Sequence, residues 1–204
     1  MSTRLTPIPP KEWPAEMRDA LAALAPSDAR HPRPPRDDSR PKGLNALGTF
    51  AHHPALTKAF NGFNGHILFG TSLDLRHREL LVLRVAARRG SEYEWVQHVL
   101  IGTDVGLTFD EIERVGSDPS SAEWSPLERA VLAAADELLD DARVADGTWA
   151  TLAAELDHEQ LIDLVFTVGA YDLVAMFFRT FDVELDDDLR GRPGPPLPSR
   201  PGGS

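Results

Sequence analysis

Prolines crowd the two ends of this chain and leave its middle almost free of them. Of 17 prolines among 204 residues, fourteen fall within residues 7–41 or 193–201. Proline lacks an amide donor and clashes with the preceding helical turn, so long regular helices belong between about Leu44 and Leu189. We therefore divide the chain into a proline-rich arm over residues 1–43, one all-helical domain over 44–189, and a disordered tail over 190–204. The arm is expected to hold one short amphipathic helix near Pro14–Ala25, followed by an extended surface connection from Pro26 to Lys42.

Within the middle the pattern is helical throughout. Four capping-box patterns precede apolar runs: Ser91-x-x-Glu94, Thr108-x-x-Glu111, Ser125-Pro126-x-Glu128 and Asp157-x-x-Gln160. In such a box a capping oxygen and a reciprocal side chain satisfy amides that the first helical turn leaves orphaned. Apolar spacing then predicts helices near 54–69, 75–89, 92–105, 109–115, 126–141, 147–155 and 158–179, with Gly90, Gly106 and Gly116 as breaks. An internal echo supports a duplicated helical unit, since Leu75-x-His77-x-Glu79-Leu80-Leu81-x-Leu83 recurs as Leu156-x-His158-x-Gln160-Leu161-Ile162-x-Leu164.

Composition narrows the function. With 42% hydrophobic residues, the chain can bury a full core without staples. It has no cysteine, which removes thiolate metal sites and thiol nucleophiles and fits a reducing, cytoplasmic setting. A formal charge of −11 argues against nucleic acid and anionic membrane partners. The N-terminus lacks the apolar stretch of an export signal. The most apolar segment, Leu161 to Phe178, is interrupted by Asp163 and Asp172, so it reads as a buried helix rather than a membrane span.

The octet Ser91-Glu-Tyr-Glu-Trp-Val-Gln-His98 carries the chemistry. In a helix, Glu94 and His98 share a face one turn apart, and Glu79 can enter the same pocket from a neighbouring helix. Two carboxylates and an imidazole make a proton-transfer set. Glu94 has a competing explanation as the capping-box residue of its helix. Two ligands are too few for a metal, so neither a metal nor another cofactor is expected. Tyr93, His66 beside Gly62 and Gly65, and Arg76 one turn before Glu79 are candidates for holding a substrate, Arg76 through a substrate carboxylate. Asp172, inside an apolar run, needs a partner if buried.

Arg-Glu-Leu-Leu-Val-Leu-Arg-Val-Ala-Ala from Arg78, Glu-Tyr-Glu-Trp-Val-Gln-His at 92–98 and Gly-Leu-Thr-Phe-Asp-Glu-Ile at 106–112 together resemble the carboxymuconolactone decarboxylase and alkylhydroperoxidase-D-like superfamily. Tyr171-Asp-Leu-Val-Ala-Met-Phe resembles the closing helix of a cysteine-free branch. The resemblance implies an internally duplicated all-α bundle that assembles into dimers, trimers or hexamers. In the peroxidase arm of that family a Cys-x-x-Cys pair works with a glutamate and a histidine. Those cysteines would fall on Ser91 and Glu94, whereas Glu79 and His98 keep the proton-relay half. A glutamate four residues before the histidine is normal in the decarboxylase arm. These features imply a cofactor-independent decarboxylase, lyase or isomerase acting on a small carboxylated or lactone-like molecule. The other readings are a non-catalytic small-molecule-binding or scaffold oligomer, and residual peroxidase-like activity.

Overall fold

In the computed structural model, residues 3–27, 29–31 and 40–199 are described. Among them the regular structure is helical, without a strand. The chain forms two compact units, one made of residues 1–72 with 178–192 and the other of 73–177 with 193–204.

The first unit holds α1 (Met17–Ala22), α2 (Leu44–Phe50) and α3 (Pro54–Gly65). Here the structure departs from the arm expected over residues 1–43. Met17 and Ala20 of α1 are buried with Ala51, and Ile8, Trp13 and Leu21 pack against them. Trp13 Nε1 donates to Ile8 O at 2.7 Å, and Asn61 Nδ2 of α3 donates to Ala20 O at 2.8 Å. A Cβ at Gly65 would lie 2.8 Å from Leu24 O, so glycine permits the close approach of these segments, while Gly62 faces open space. The helix expected to run to 69 changes at Gly65 into a π-turn over His66–Gly70. The Pro-Arg-Pro-Pro-Arg-Asp-Asp run at 32–38 lies outside the described residues.

The second unit is built around α4 (Leu75–Arg89), which packs on α5 (Glu92–Asp104), α6 (Phe109–Ser117) and α7 (Pro126–Asp141). Every residue of α4 from Arg78 to Ala87 is buried, as its nearly unbroken apolar run requires. Asp74 caps its start by accepting from Arg76 N at 2.8 Å. Gly90 ends it in the left-handed region at φ 64°, which returns the chain directly into α5. Helices α8 (Asp146–Glu155) and α9 (His158–Thr180) follow, α8 packing on α7. By length and composition α9 is long and apolar enough to cross a membrane, but 56% of its most apolar window is buried within the protein.

Three expected capping boxes close. Thr108 with Glu111 and Ser125 with Glu128 exchange both bonds, and Asp157 N and Gln160 N each find the other's side chain, at 3.0 and 2.9 Å. The fourth, Ser91 with Glu94, does not form. Gly116 is not a break but lies inside α6, where Pro198 crowds it. The tail also differs from expectation: Trp95 Nε1 donates to Pro195 O at 2.9 Å and Gly194 sits against Val99, so residues 193–199 lie against α5 and α6.

Candidate functional site

The short connection at Gly90–Ser91 lays α5 back against α4, so Glu79 and His98 meet although 19 residues separate them. His98 Nδ1 lies 2.7 Å from Glu79 Oε2. The other carboxylate oxygen, Oε1, accepts from Arg78 Nε at 2.8 Å and pairs with Arg78 Nη2 at 2.7 Å. All three groups are buried, Glu79 completely. Burial opposes the Glu79 charge, yet His98 and then Arg78 hold its carboxyl below the usual glutamate value. An ionised carboxylate only accepts, so His98 must donate from Nδ1 and its proton-accepting nitrogen is Nε2.

Glu94 lies one turn before His98 on α5 and is 1% exposed. Neither of its oxygens has a hydrogen-bond partner, and neither does Ser91 Oγ. Burial pushes the Glu94 carboxyl well above its usual value; Ser91 tempers the rise and the Asp172 charge adds to it. The capping explanation for Glu94 is thereby removed. Two carboxyls in one unit, Glu79 and Glu94, are driven in opposite directions by their surroundings.

Tyr171 of α9 closes over the imidazole, its ring edge-on to His98 with centroids 4.9 Å apart and planes at 88°. Burial, and then the Glu79 charge, push its hydroxyl pKa up, so it stays a neutral phenol. Beside it, Asp172 is held by Arg89 at 2.5 and 3.1 Å, the partner its place in an apolar run requires. Neither Arg78 nor Tyr171 is singled out for the site by the sequence. Arg78 adjoins Glu79 in the chain, and adjacent helical residues do not share a face, but the long arginine reaches around to its neighbour.

The remaining candidates have the following settings. Tyr93 is a fully buried core side chain next to Glu94. His66 is exposed and belongs to the first unit, in the π-turn with its ring against Gly70. Arg76 is committed to two capping carboxylates, with Nε 2.9 Å from Glu128 Oε1 and Nη2 on Glu111 Oε1. In this arrangement it ties together the starts of α6 and α7.

Comparison with known proteins adds to this geometry. The debrominase Bmp8 in its apo form superimposes with a TM-score of 0.71 at 16% identity, covering 93% of this chain and 96% of that one. A cysteine-to-alanine variant of Bmp8 in complex with 2,3,4-tribromopyrrole gives 0.68 at 17%, with 93% and 95% covered. An alkylhydroperoxidase AhpD core protein from Ralstonia eutropha gives 0.65 at 21%, with 81% and 96% covered. At these identities the likeness speaks for the fold, which is the all-α alkylhydroperoxidase-D type. No curated protein matches the sequence. The carboxymuconolactone decarboxylase family model matches residues 54–137, a span that contains Glu79, Glu94 and His98. Residues 54–137 are thus similar to the carboxymuconolactone decarboxylase family, and the helical fold is that of alkylhydroperoxidase-D-like proteins.

Proposed function

We propose that this protein is a cofactor-independent acid–base enzyme, a decarboxylase, lyase or isomerase of a small carboxylated or lactone-like substrate. The observation that carries the reading is the pairing of opposites on one short stretch of α4 and α5. Glu79 is held below its usual value and fixes the His98 imidazole at 2.7 Å, while burial pushes the Glu94 carboxyl towards its protonated form. Groups whose proton affinities are driven apart in this way suit a base and an acid acting at neutral pH. In an isomerisation, His98 Nε2 takes a proton from the carbon beside the substrate carbonyl and the resulting enolate takes one from Glu94 at another carbon. In a decarboxylation, a carboxylate β to the carbonyl leaves as carbon dioxide, its bonding electrons form the enolate, and Glu94 protonates that enolate. Each isomerisation moves one proton out and one in, so no redox partner is needed.

Charge supports the substrate class. Once Nε2 has taken the substrate proton, Arg78, Glu79 and His98 sum to one positive charge, which suits the enolate formed beside them. A chain without cysteine has no thiol for peroxidase turnover. The test is incubation with a panel of lactones, β-keto acids and unsaturated carboxylic acids, followed by mass and by deuterium uptake from heavy water. Turnover or exchange in the wild type that falls about 10²-fold or more in His98→Ala supports the reading. Full activity in that variant overturns the role of His98, and absence of turnover and exchange in the wild type across the panel overturns the reading in favour of a binding or scaffold role.

A further inference from the structure

Ser91 is held by two helices at once. Its backbone N donates to Ala86 O at 2.9 Å, closing the end of α4, and its carbonyl accepts from Trp95 N at 2.9 Å, opening α5. The side chain does not do what an N-cap serine does. At Thr108 and Ser125, whose boxes close, the cap residue lies at ψ 160° and 159°, whereas at Ser91 ψ is 90° and the hydroxyl makes no capping bond. Ser91 is fully buried, and its Oγ has no hydrogen-bond partner.

That hydroxyl shares a face of α5 with the chemistry. Glu94 and His98 follow Ser91 by three and seven residues, so the three side chains line one face over about 10 Å of helix axis. Glu94 is 1% exposed, and both its oxygens, like Ser91 Oγ, lack a well-formed hydrogen bond. Buried polar atoms left unmatched cost stability, and each calls for an occupant. The charges around them decide which kind. Arg78 is committed to Glu79 and Arg89 to Asp172, and the charged group that bears on Glu94 is the negative Asp172. A carboxylate brought to Ser91 would be stripped of water with both of these arginines already paired. An uncharged carbonyl oxygen loses far less hydration and gains the hydroxyl as its donor.

We propose that Ser91 is a substrate-binding residue, its Oγ–H donating to an uncharged oxygen of the substrate, a lactone, ester or ketone carbonyl, while the reacting carbon lies at His98. The inference rests on the acid–base site proposed above and narrows its substrate class. The end of the substrate at Ser91 is neutral, and the negative charge of the reaction develops at the other end, beside His98 and Arg78. Glu94, between the two, keeps its proton for transfer.

The test is calorimetric binding of lactones and keto esters to the full chain, each beside its free acid, with methyl levulinate and levulinate as the first pair. The wild type should bind the neutral member at least tenfold more tightly. Ser91→Ala should lose about tenfold for that member, the worth of one hydrogen bond, and leave the acid unchanged. Its thermal midpoint should equal or exceed that of the wild type, because an unmatched hydroxyl is removed, whereas Ser125→Ala, which loses a working cap, should fall. Equal or tighter binding of the acids overturns the inference, as does neutral binding that Ser91→Ala leaves intact or the failure of every neutral member to bind. A midpoint for Ser91→Ala as low as that of Ser125→Ala overturns it too, by making the hydroxyl a cap. Deuterium uptake from heavy water separates these failures from failure of the acid–base reading. An ester bound through Ser91 that exchanges no proton sinks that reading and upholds the inference, and exchange with affinity and rate unchanged in Ser91→Ala does the reverse.

Discussion

Helix α4 sends charged side chains out on two faces, and the faces follow different rules. Towards α6 and α7, Arg84 grips Asp136 with two bonds at 2.7 and 2.8 Å, Arg88 reaches Asp136 at 2.9 Å and Asp140 at 2.6 Å, and Arg76 bridges Glu111 and Glu128. Every carboxylate in that set has a cation and keeps some contact with water. Towards α5, Arg78, Glu79 and His98 form a buried set, and Glu94, one turn before His98, is buried with neither oxygen in a well-formed hydrogen bond. Stabilising a helical bundle is sufficient reason for the first arrangement. It does not account for the second, because a carboxyl buried without hydrogen bonds costs stability instead of adding to it. The contrast separates side chains kept for the fold from those kept for chemistry.

The largest effect is expected where both kinds of reason meet. Glu79→Gln leaves buried Arg78 and His98 without their counter-charge, which should cost about 3–5 kcal/mol as for other broken buried pairs and lower turnover about 10²-fold. Since the Glu79 carboxyl is held below its usual value, its stabilisation is present above the unfolded value and is lost as pH falls through the folded one. Denaturation midpoints across acid pH should therefore converge for the wild type and variant. His98→Ala keeps the Arg78–Glu79 pair, so it should match the loss in turnover with a smaller loss in stability. If Glu79→Gln proves no less stable than His98→Ala, the buried set is not the coupled unit described.

Glu94→Gln comes next and tests the unpartnered half. The wild-type carboxyl has a raised folded value, so the stability it gives is complete below the unfolded glutamate value and declines as pH rises towards the folded one. Glutamine removes that decline, and the variant's advantage should grow from mildly acid pH upwards. Turnover should fall at least tenfold, since an amide cannot deliver the proton, and any alkaline limb of the pH–rate profile that Glu94 sets should disappear. A parallel stability profile in the two proteins would mean that Glu94 ionises in the fold after all.

What the sequence reveals of this contrast follows from how local each cause is. Helix limits in the second unit are legible, because Asp74, Thr108, Ser125 and Asp157 cap through bonds a few residues long. Helix α2 escapes, being a single short run whose N-cap is Gly43 in the left-handed region and not a side-chain acceptor. Glu79 and His98 can be paired from residue type and resemblance, but Arg78 cannot, since adjacent positions on a helix point apart. Ser91-x-x-Glu94 has the same pattern as the three boxes that close. Only tertiary burial tells it apart, by turning both groups inward. The packing of α1 on α3 is likewise non-local, so the N-terminal residues read as an arm although they contribute core.

The smallest effect is predicted for Arg76, the residue on which the two faces are most easily confused. Its guanidinium is about a quarter exposed, and its partners Glu111 and Glu128 are partly exposed as well. Each partner keeps its own capping bond without it, Glu111 from Thr108 N at 2.8 Å and Glu128 from Ser125 N at 2.9 Å. Arg76→Gln should therefore cost about 1 kcal/mol or less, the range of partly solvated pairs, and less still in high salt as screening weakens the wild-type bridge. Turnover and KM should stay at the wild-type level, because the side chain spans α6 and α7 and does not join the Glu79–His98 set. A tenfold rise in KM for an anionic substrate, with stability unchanged, would make Arg76 a carboxylate anchor. The division of α4 into a structural and a chemical face would then have to be redrawn to include it.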